Sequence, residues 1–371
     1  MRKVAVNKAI LGRYAGREIA GPRPGQPLLR RGALIDAELL EAMQRRGISI
    51  AWISDELLPE IDAPEAVKFE TREAVRTAFS GAYDSAETWR EQKSLPPPEH
   101  GLRIEDSTQL LVGEIASSND VLTNLSFIRA WDDYTFEHSV QVAILSLLIG
   151  KRLGMDEDSL SRLGTGALLH DIGKALVPRE ILQKPSRLTD EEFEIMRQHP
   201  QLGWEFLHEC FPHIMPTSSI VALQHHERLD GSGYPFGRRE PQIYLFSQIV
   251  AVADVYDAIR AQRGYRADFS PRQVYDLMRQ EAGAKLRADA VEILLRHVAL
   301  IPQGSVVQLS DGTYGMATKL VPEDVLHPIV LVVAGESGKP LARHEVDLRE
   351  GGLEVTRLLD GWPREVVAQV R

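Results

Sequence analysis

Acidic side chains interrupt the most apolar stretches of this 371-residue chain. Asp254 directly follows the apolar run at 249–253, and Asp171 follows Ala167, Leu168, Leu169 and a histidine. An ionised carboxylate in so apolar a segment is costly unless it is paired or binds a metal ion. The sequence therefore predicts that these two carboxylates are buried in the core and are paired or bound to a metal ion.

Composition places the chain among ordinary globular proteins. Apolar residues make up 43% and charged residues 26% of it, and its length suits two or three domains. The formal net charge is −10, which argues against a general nucleic-acid binder. An anionic ligand would therefore need a site made locally cationic by metals, Lys or Arg.

Cysteine usage and hydropathy predict a cytoplasmic protein. Cys210 stands alone, which excludes an internal disulfide and fits a reducing compartment. Residues 1–8 lack the apolar core of a signal peptide. The longest apolar run, at 140–150, has the length of a buried helix and is too short to cross a membrane.

The first part of the chain, residues 1–64, is predicted to be a small mixed α/β module. Residues 36–46 have apolar positions at helical spacing, Gly47 ends that pattern, and residues 48–54 are rich in strand-forming side chains. The module is interpreted as a docking or oligomerisation unit, with a sensory unit as the alternative. The sequence contains no ligand motif that identifies a signal.

Two further regions are predicted after it. Residues 65–302 are mainly helical, with a break at the three prolines 96–98, which favours a stiff connector over a partner ligand; helices resume near Asp106. Thr189 to Glu192 forms a capping box that opens a helix. Residues 303–371 are predicted to form a small β subdomain, with a hairpin at 310–313 and a strand at 329–333. The predicted fold class is mainly α.

Five histidines and two aspartates occur at positions that suit a metal centre. Alone, each would more often be a core, cap or ion-paired residue, but together they favour a ligand set without thiolates, suited to Fe, Mn, Ni or Zn. Seven ligands exceed one tetrahedral ion and suffice for two ions about 3.5–4 Å apart that share a carboxylate. The predicted metal ligands are His138, His170, Asp171, His199, His225, His226 and Asp254. The remaining six histidines are interpreted as surface or structural residues.

Ordered motifs from about 105 to 300 resemble the HD-GYP family, a subclass of the HD metal-dependent phosphohydrolase superfamily. HD alone would be a weak signal, whereas the full series in this order is specific. The matching segments are 133–139, 169–174, 188–192, 199–203, 225–235 with Gly233-Tyr234-Pro235, 249–257 and 263–266. The resemblance implies a helical HD-type bundle and hydrolysis of the bacterial second messenger cyclic di-GMP to pGpG, and on to GMP in some members.

The resemblance also assigns roles around the metals. It implies that His138, His170, Asp171 and Asp254 hold one ion, and that Asp171 bridges to a second ion held by the remaining three histidines. Lys174 would contact a phosphate oxygen, and Arg263 and Arg266 are candidate substrate contacts, with ordinary surface charge as the alternative. Asp257 would orient the water or assist the leaving group. Tyr234 would pack its loop or stack near the substrate.

One position departs from the family pattern. Some members bind a third ion through a Glu four residues before the first histidine, where this chain has Tyr134. Tyrosine is a poor substitute for a carboxylate, and Glu137 is expected to point away from the face of His138. The sequence therefore predicts two divalent ions, iron first and manganese as the alternative, with attack by a bridging hydroxide.

Three interpretations of function stay open at this stage. The first is cyclic di-GMP phosphodiesterase activity, and the second is hydrolysis of another cyclic dinucleotide such as cyclic GMP-AMP. The third is a weakly active cyclic di-GMP receptor or interaction module. Protein partners such as diguanylate cyclases are expected at the Gly233-Tyr234-Pro235 loop, and a homodimer is a candidate assembly. No nucleic acid or membrane partner is expected.

Overall fold

The structure is a computed structural model, and it describes most of the chain. The described residues are 2–6, 10–16, 28–30, 32–45, 50–54, 67–117, 134–184, 186–261, 269–322, 324–359, 362–363 and 366. Buried apolar side chains within them group into an N-terminal core between Val6 and Ile53, a large helical core between Val67 and Leu300, and two C-terminal clusters beyond it. The predicted boundaries at 64/65 and 302/303 remain a prediction.

The N-terminal elements form a three-stranded antiparallel sheet with one helix. They are β1 (Arg2–Ala5), β2 (Tyr14–Ala15), α1 (Ala37–Arg45) and β3 (Ile50–Ser54), with strand order β1-β3-β2. Asp36 Oδ1 accepts the backbone N–H of Leu39 at 2.8 Å and so caps α1, whose Leu40 and Met43 are buried. The predicted helix and strand of this region are confirmed.

Two long helices follow. They are α2 (Phe69–Gln92) and α3 (Pro98–Ser117). Lys93 ends α2 in the left-handed conformation at φ 52°, and Pro98 occupies the first position of α3, where a missing N–H costs nothing. The expectation that helices resume near Asp106 was wrong, because the last of the three prolines begins a helix.

The centre of the molecule is a helical bundle. Its elements are α4 (Tyr134–Arg152), α5 (Glu157–Leu169), the 3₁₀ helix Ile172–Leu176, α6 (Arg179–Leu182), α7 (Asp190–Met196), α8 (His199–Cys210), α9 (Pro216–Gln224), α10 (Leu245–Ala261), α11 (Pro271–Glu281) and α12 (Ala288–His297). The predicted capping box is present, with Thr189 as N-cap of α7. Helix α4 contains the apolar run at 140–150 that was predicted to be a buried helix, and every residue from Phe136 to Gly150 is buried because other helices pack around it.

An antiparallel sheet of order β7-β6-β5-β4-β8 makes up the C-terminal part. Its elements are β4 (Val306–Leu309), β5 (Tyr314–Val321), β6 (Asp324–Ala334), β7 (Pro340–Asp347), α13 (Leu348–Gly351) and β8 (Val355–Leu359). Gly312, at φ 85°, turns the predicted hairpin between β4 and β5, and the predicted strand at 329–333 lies in β6. The mainly α fold class with a small C-terminal sheet is confirmed.

Close packing brings the ends of several helices together inside the bundle. A Cβ atom on Gly173 would overlap the carbonyl oxygen of His199 and the backbone of Gly203, so the 3₁₀ helix lies directly against the start of α8. This approach joins the segment after Asp171 to the helix that begins with His199. Within the described residues, none of the helices has the length and apolar character to cross a membrane.

Candidate metal centre

Asp171 lies at the junction of two groups of side chains whose ligand atoms are within 4.8 Å of one another. The first group contains Asp171, His199, His225 and His226, and the second contains His138, His170 and Asp171. Asp254 lies beside the second group, with its Oδ1 3.2 Å from His138 Nε2. The structure thus brings all seven predicted ligands together around one buried carboxylate.

The two oxygens of Asp171 face different sides of this centre. Oδ1 lies 3.3 Å from His199 Nε2 and 3.6 Å from His225 Nε2. Oδ2 lies 3.2 Å from His170 Nε2 and 2.6 Å from Lys174 Nζ. Burial alone would raise the pKa of Asp171, but Lys174 and His170 hold it well below the ordinary value. This carboxylate therefore stays ionised and presents one oxygen to each side.

Three histidines are held by carbonyl groups of their own helices or turns. Nδ1 of His170 donates to Ala167 O at 2.7 Å, and Nδ1 of His199 donates to Met196 O at 2.8 Å. Nδ1 of His225 lies 3.0 Å from Ala222 O. A carbonyl can only accept, so Nδ1 of each ring carries a hydrogen, and in the neutral form of such a ring Nε2 is a lone pair facing the centre.

His138 is held differently. Its Nδ1 donates to Asp257 Oδ2 at 2.5 Å, and its Nε2 faces Asp254 and Asp171. Although burial lowers the pKa of His138, its hydrogen bonds to Asp254 and Asp257 raise it to about 9. Interaction with His138 in turn lowers the pKa of Asp254 against the effect of burial. The sequence suggested a role near the water for Asp257, whereas its observed contact is with a candidate ligand.

The other side of the centre favours neutral imidazoles. Burial lowers the pKa of His225 to about 4 and lowers that of His226 well below its ordinary value. Neutral imidazole is the form that binds a metal ion. The side on which His225 and His226 lie is therefore ready to coordinate at neutral pH.

The donor set fits divalent metal ions. Nε2 of His170 and Oδ1 of Asp171 are buried and lack a hydrogen-bond partner with good geometry among the described residues. Nε2 of His199 and Nε2 of His225 lie 3.4 Å apart, although both rings carry their hydrogen on Nδ1. Two lone pairs that face each other in a buried site repel, and a cation between them removes the conflict.

Glu137 is not available to this centre. Its two carboxylate oxygens accept hydrogen bonds from Arg72 and Arg76 of α2, at 3.0 and 2.9 Å. The side chain of Tyr134 lies outside the described residues, as do Arg263 and Arg266. Of the predicted substrate cations, the structure places Lys174 at the centre, with its Nζ on Asp171.

The loop after the paired histidines packs onto the centre. The ring of Tyr234 stacks on His226, with centroids 4.5 Å apart at 23°, and the Arg197 guanidinium lies 4.9 Å from the same ring. Glu227 is buried and accepts the backbone N–H groups of Phe236 and Arg238, at 2.9 and 2.8 Å. The loop therefore holds Tyr234 against a candidate ligand.

Sequence reasoning missed two residues of this loop region. Glu227 lies within the motif segment 225–235 but had no predicted role, and Arg197 had none either. A signal for Glu227 existed, because a carboxylate directly after two candidate ligands needs a partner if it is buried. Arg197 carried no such signal, since its contact with Tyr234 joins the end of α7 to a distant loop.

The chain is similar to a known protein family and to several named proteins. Residues 114–290 match a family model described as HD domain. A Pseudomonas aeruginosa protein named cyclic di-GMP phosphodiesterase PA4108 is 35% identical over 260 residues, which are 69% of this chain and 62% of that protein. A Thermotoga maritima protein named cyclic di-GMP phosphodiesterase is 38% identical over 178 residues, 48% of each chain. A Vibrio cholerae protein named 3'3'-cGAMP-specific phosphodiesterase 1 is 35% identical over 204 residues, 54% of this chain and 46% of that protein.

This chain thus spans 62%, 48% and 46% of the lengths of these three relatives. The segment that matches the family model contains all seven candidate ligands, from His138 to Asp254. The match agrees with the mainly helical fold of this segment and with the resemblance that its motifs indicate. Residues 114–290 of this chain are therefore similar to the HD domain family.

Proposed function

We propose that this protein is a metal-dependent phosphodiesterase that hydrolyses cyclic di-GMP to pGpG, with GMP as a further product. The observation that carries the proposal is the geometry of Asp171, whose two oxygens face two separate sets of imidazoles. A shared carboxylate of this kind suits two ions held side by side. Such a pair, when bound, supplies an activated water and neutralises charge on a phosphodiester.

Two divalent ions are proposed, with iron as the first candidate and manganese as the alternative. Imidazole and carboxylate ligands suit both metals. A third ion would need a further carboxylate near His138, but Glu137 is engaged by two arginines, and position 134 is a tyrosine. The proposed split gives one ion His138, His170 and Asp254, gives the other His199, His225 and His226, and leaves Asp171 between them.

Local positive charge explains how an acidic chain would hold a dianionic substrate. The net charge of −10 gives no long-range attraction for phosphates. Lys174 lies at the centre with its side chain about one quarter exposed, so it is the first candidate to stabilise a phosphate oxygen. Arg263, Arg266 and Tyr234 are proposed as further substrate contacts on the family pattern.

Asp257 is proposed to act through His138. Its hydrogen bond orients the imidazole and increases its basicity, the usual arrangement behind a metal-bound histidine. The catalytic role predicted from sequence, orientation of water or help for the leaving group, is the alternative. The two roles differ in whether loss of the Asp257 charge changes metal affinity or only the turnover number.

A direct experiment tests the proposed activity. The protein is purified without oxygen in the presence of Fe²⁺ or Mn²⁺, its metal content is measured, and cyclic di-GMP is added with product analysis by chromatography. We expect two ions per chain and formation of pGpG. Absence of turnover with either metal, although two ions are bound, would exclude the enzymatic proposal.

A second substrate is also supported. Relatives named as specific for 3'3'-cGAMP are 35% and 31% identical to this chain. Hydrolysis of a cyclic GMP-AMP would use the same centre and differ only in the recognition of one base. An assay that contains both dinucleotides at equal concentration decides between them. The measured quantity is the ratio of their two initial rates of hydrolysis.

A receptor role is the third candidate, and it predicts tight binding without hydrolysis. The complete ligand set argues against it, because a receptor does not need an intact hydrolytic centre. Titration of cyclic di-GMP with and without Mn²⁺, followed by product analysis of the same samples, separates binding from turnover.

Protein partners are proposed at the loop that contains Gly233, Tyr234 and Pro235. Phe236, the next residue, is 54% exposed, and Arg238 lies over its ring at 5.0 Å, so the loop offers an apolar and cationic contact. Pull-down of purified diguanylate cyclases by the wild-type protein and by the Phe236→Ser variant tests this proposal. Equal capture by both forms would contradict it.

A further inference from the structure

Helix α2 contributes one face to the surroundings of the metal centre, although it lies N-terminal to residues 114–290, which match the HD family model. Arg72, Arg76, Phe79, Tyr83 and Arg90 are spaced four, three, four and seven residues apart. Residues at this spacing share one side of an α-helix. Side chains on this side of α2 contact Glu137, which precedes His138, and the end of the 3₁₀ helix that follows Asp171.

The first contact is a buried charge network at the start of α4. Arg72 and Arg76 each donate to a different oxygen of Glu137, whose side chain is only 5% exposed. The Arg76 guanidinium also lies 4.5 Å from the centre of the Phe136 ring, and Phe79 packs on the same ring. The residue directly after Glu137 is the candidate ligand His138, so this network fixes the turn that carries it.

Charge-assisted hydrogen bonds from two arginines to one buried carboxylate are strong and directional. Consecutive residues on a helix point about 100° apart, since one turn takes 3.6 residues. Glu137 therefore faces α2 while His138 faces Asp171 and Asp254. The first turn of α4 is held between α2 on one side and the metal centre on the other.

The second contact lies at the other end of α2. Nη1 of Arg90 donates to the carbonyl oxygens of Ala175 and Val177, at 3.0 and 3.1 Å. These carbonyls lie at the end of the 3₁₀ helix that contains Lys174 and follows Asp171. Arg90 therefore fixes the segment that carries the bridging carboxylate and the predicted phosphate contact.

Both contacts belong to one continuous helix. Eighteen residues separate Arg72 from Arg90, which corresponds to about 27 Å of α-helix. Between them, burial raises the pKa of Tyr83, and the charges of Glu87, Lys174 and Asp171 also act on its hydroxyl. A shift of α2 as a rigid rod would move His138 and the Asp171–Lys174 segment at the same time.

We propose that α2 is a positioning helix for the metal centre, which holds both flanks of the centre at the correct separation through Arg72 and Arg76 on Glu137 and through Arg90 on the 3₁₀ helix. This inference rests on the proposed function, since it assumes that the centre binds metal ions. According to this proposal, α2, which lies outside the matched residues 114–290, controls the affinity of the centre for metal ions.

The test measures Mn²⁺ affinity and stoichiometry by titration calorimetry on the full chain, alongside thermal melting. Glu137→Gln removes the charge that both arginines bind, and Arg90→Ala removes both carbonyl contacts. We expect each variant to bind Mn²⁺ about tenfold more weakly or worse, as is usual when groups behind metal ligands are lost. Arg76→Lys, which keeps the charge, is expected to retain more affinity than Arg76→Ala.

Two control variants separate positioning from general damage. Glu87→Gln removes an exposed ion pair between the same helix and Arg179, and should leave Mn²⁺ binding unchanged. Leu111→Ala opens a cavity in the core of α3, and should lower the melting temperature without weakening Mn²⁺ binding in the folded protein.

The outcomes are distinct. If wild-type protein binds no Mn²⁺, the proposed function fails before the inference is tested. If wild-type protein binds Mn²⁺ and a folded Glu137→Gln or Arg90→Ala protein binds it equally well, the positioning role of α2 is wrong. Should Glu137→Gln not fold, Arg90→Ala decides alone, because Arg90 is one quarter exposed and its loss leaves no buried charge.

Discussion

The histidines of the metal centre are anchored in two different ways. His170, His199 and His225 are each held by a carbonyl group three residues earlier in the chain. His138 is held instead by Asp257, which is 119 residues away in the sequence. The carbonyl-held histidines depend on where helices begin and end, whereas His138 depends on the packing of α4 against α10.

This difference has electrostatic consequences. A neutral carbonyl fixes the ring without adding charge, and burial then keeps His225 neutral, with a pKa of about 4. Burial also acts to lower the pKa of His138, but its hydrogen bonds to the carboxylates of Asp254 and Asp257 raise it to about 9. The anchors of the carbonyl-held histidines are therefore not removed by changing a side chain, while the anchor of His138 can be removed by one substitution.

Asp171→Ala tests whether the two sides form one centre. It removes the only side chain common to both groups, so we expect loss of both ions and of all measurable turnover. Metal analysis and a chromatographic assay measure the two losses. Retention of one ion per chain would show that the sides bind independently, and retained activity would contradict the bridging role.

Asp257→Asn tests the anchor of the His138 side. The amide can still accept from Nδ1, but the negative charge behind the imidazole is lost, so we expect Mn²⁺ affinity to fall by about 10- to 100-fold. Titration calorimetry measures the affinity. A lower turnover number with unchanged Mn²⁺ affinity would instead support the water-orienting role predicted from the sequence.

Gly173→Ala tests the backbone packing around His199, one of the carbonyl-held histidines. The added methyl group would overlap His199 O and the backbone of Gly203, so the 3₁₀ helix must move away from α8. We expect a loss of about 1–3 kcal/mol or more in the free energy of unfolding, measured in urea. Gly113→Ala is the matched control, since its methyl group meets no atom within 4 Å, and it should not destabilise the protein.

Tyr234 tests whether ring stacking supports the candidate ligand His226. Its ring lies on His226, so Tyr234→Ala should weaken Mn²⁺ binding severalfold, by about the 0.5–1.5 kcal/mol of an aromatic pair, whereas Tyr234→Phe should not. Calorimetry of both variants measures this difference. If Tyr234→Phe keeps metal affinity but raises KM, the hydroxyl contacts the substrate as well.

Local patterns allowed much of the fold to be predicted. Thr189 and Glu192 stand three residues apart with the side chains that a capping box requires, and that box is present. The hairpin before Tyr314 followed from a Ser-Asp-Gly-Thr turn. The length of the apolar run at 140–150 likewise predicted a buried helix, and α4 is buried on every face from Phe136 to Gly150.

The candidate ligands were also predictable as residue types. Asp254 and Asp171 stood out because carboxylates are costly in apolar segments, and the histidines followed in motif order. Their anchors were not predictable. The contact of Asp257 with His138, the pairing of Glu137 with Arg72 and Arg76, and the stacking of Tyr234 on His226 all join segments distant in sequence or meet across a loop.

The sequence by itself determined which side chains are available to bind metal, and which helices and strands carry them. Spacing and capping are local, since they depend on interactions within about one helical turn. Only the tertiary structure decided which oxygen of Asp171 faces which imidazoles, which nitrogen of each ring points inward, and which charges act behind them. Those features depend on distances between segments far apart in the chain, and close packing of buried helices sets those distances.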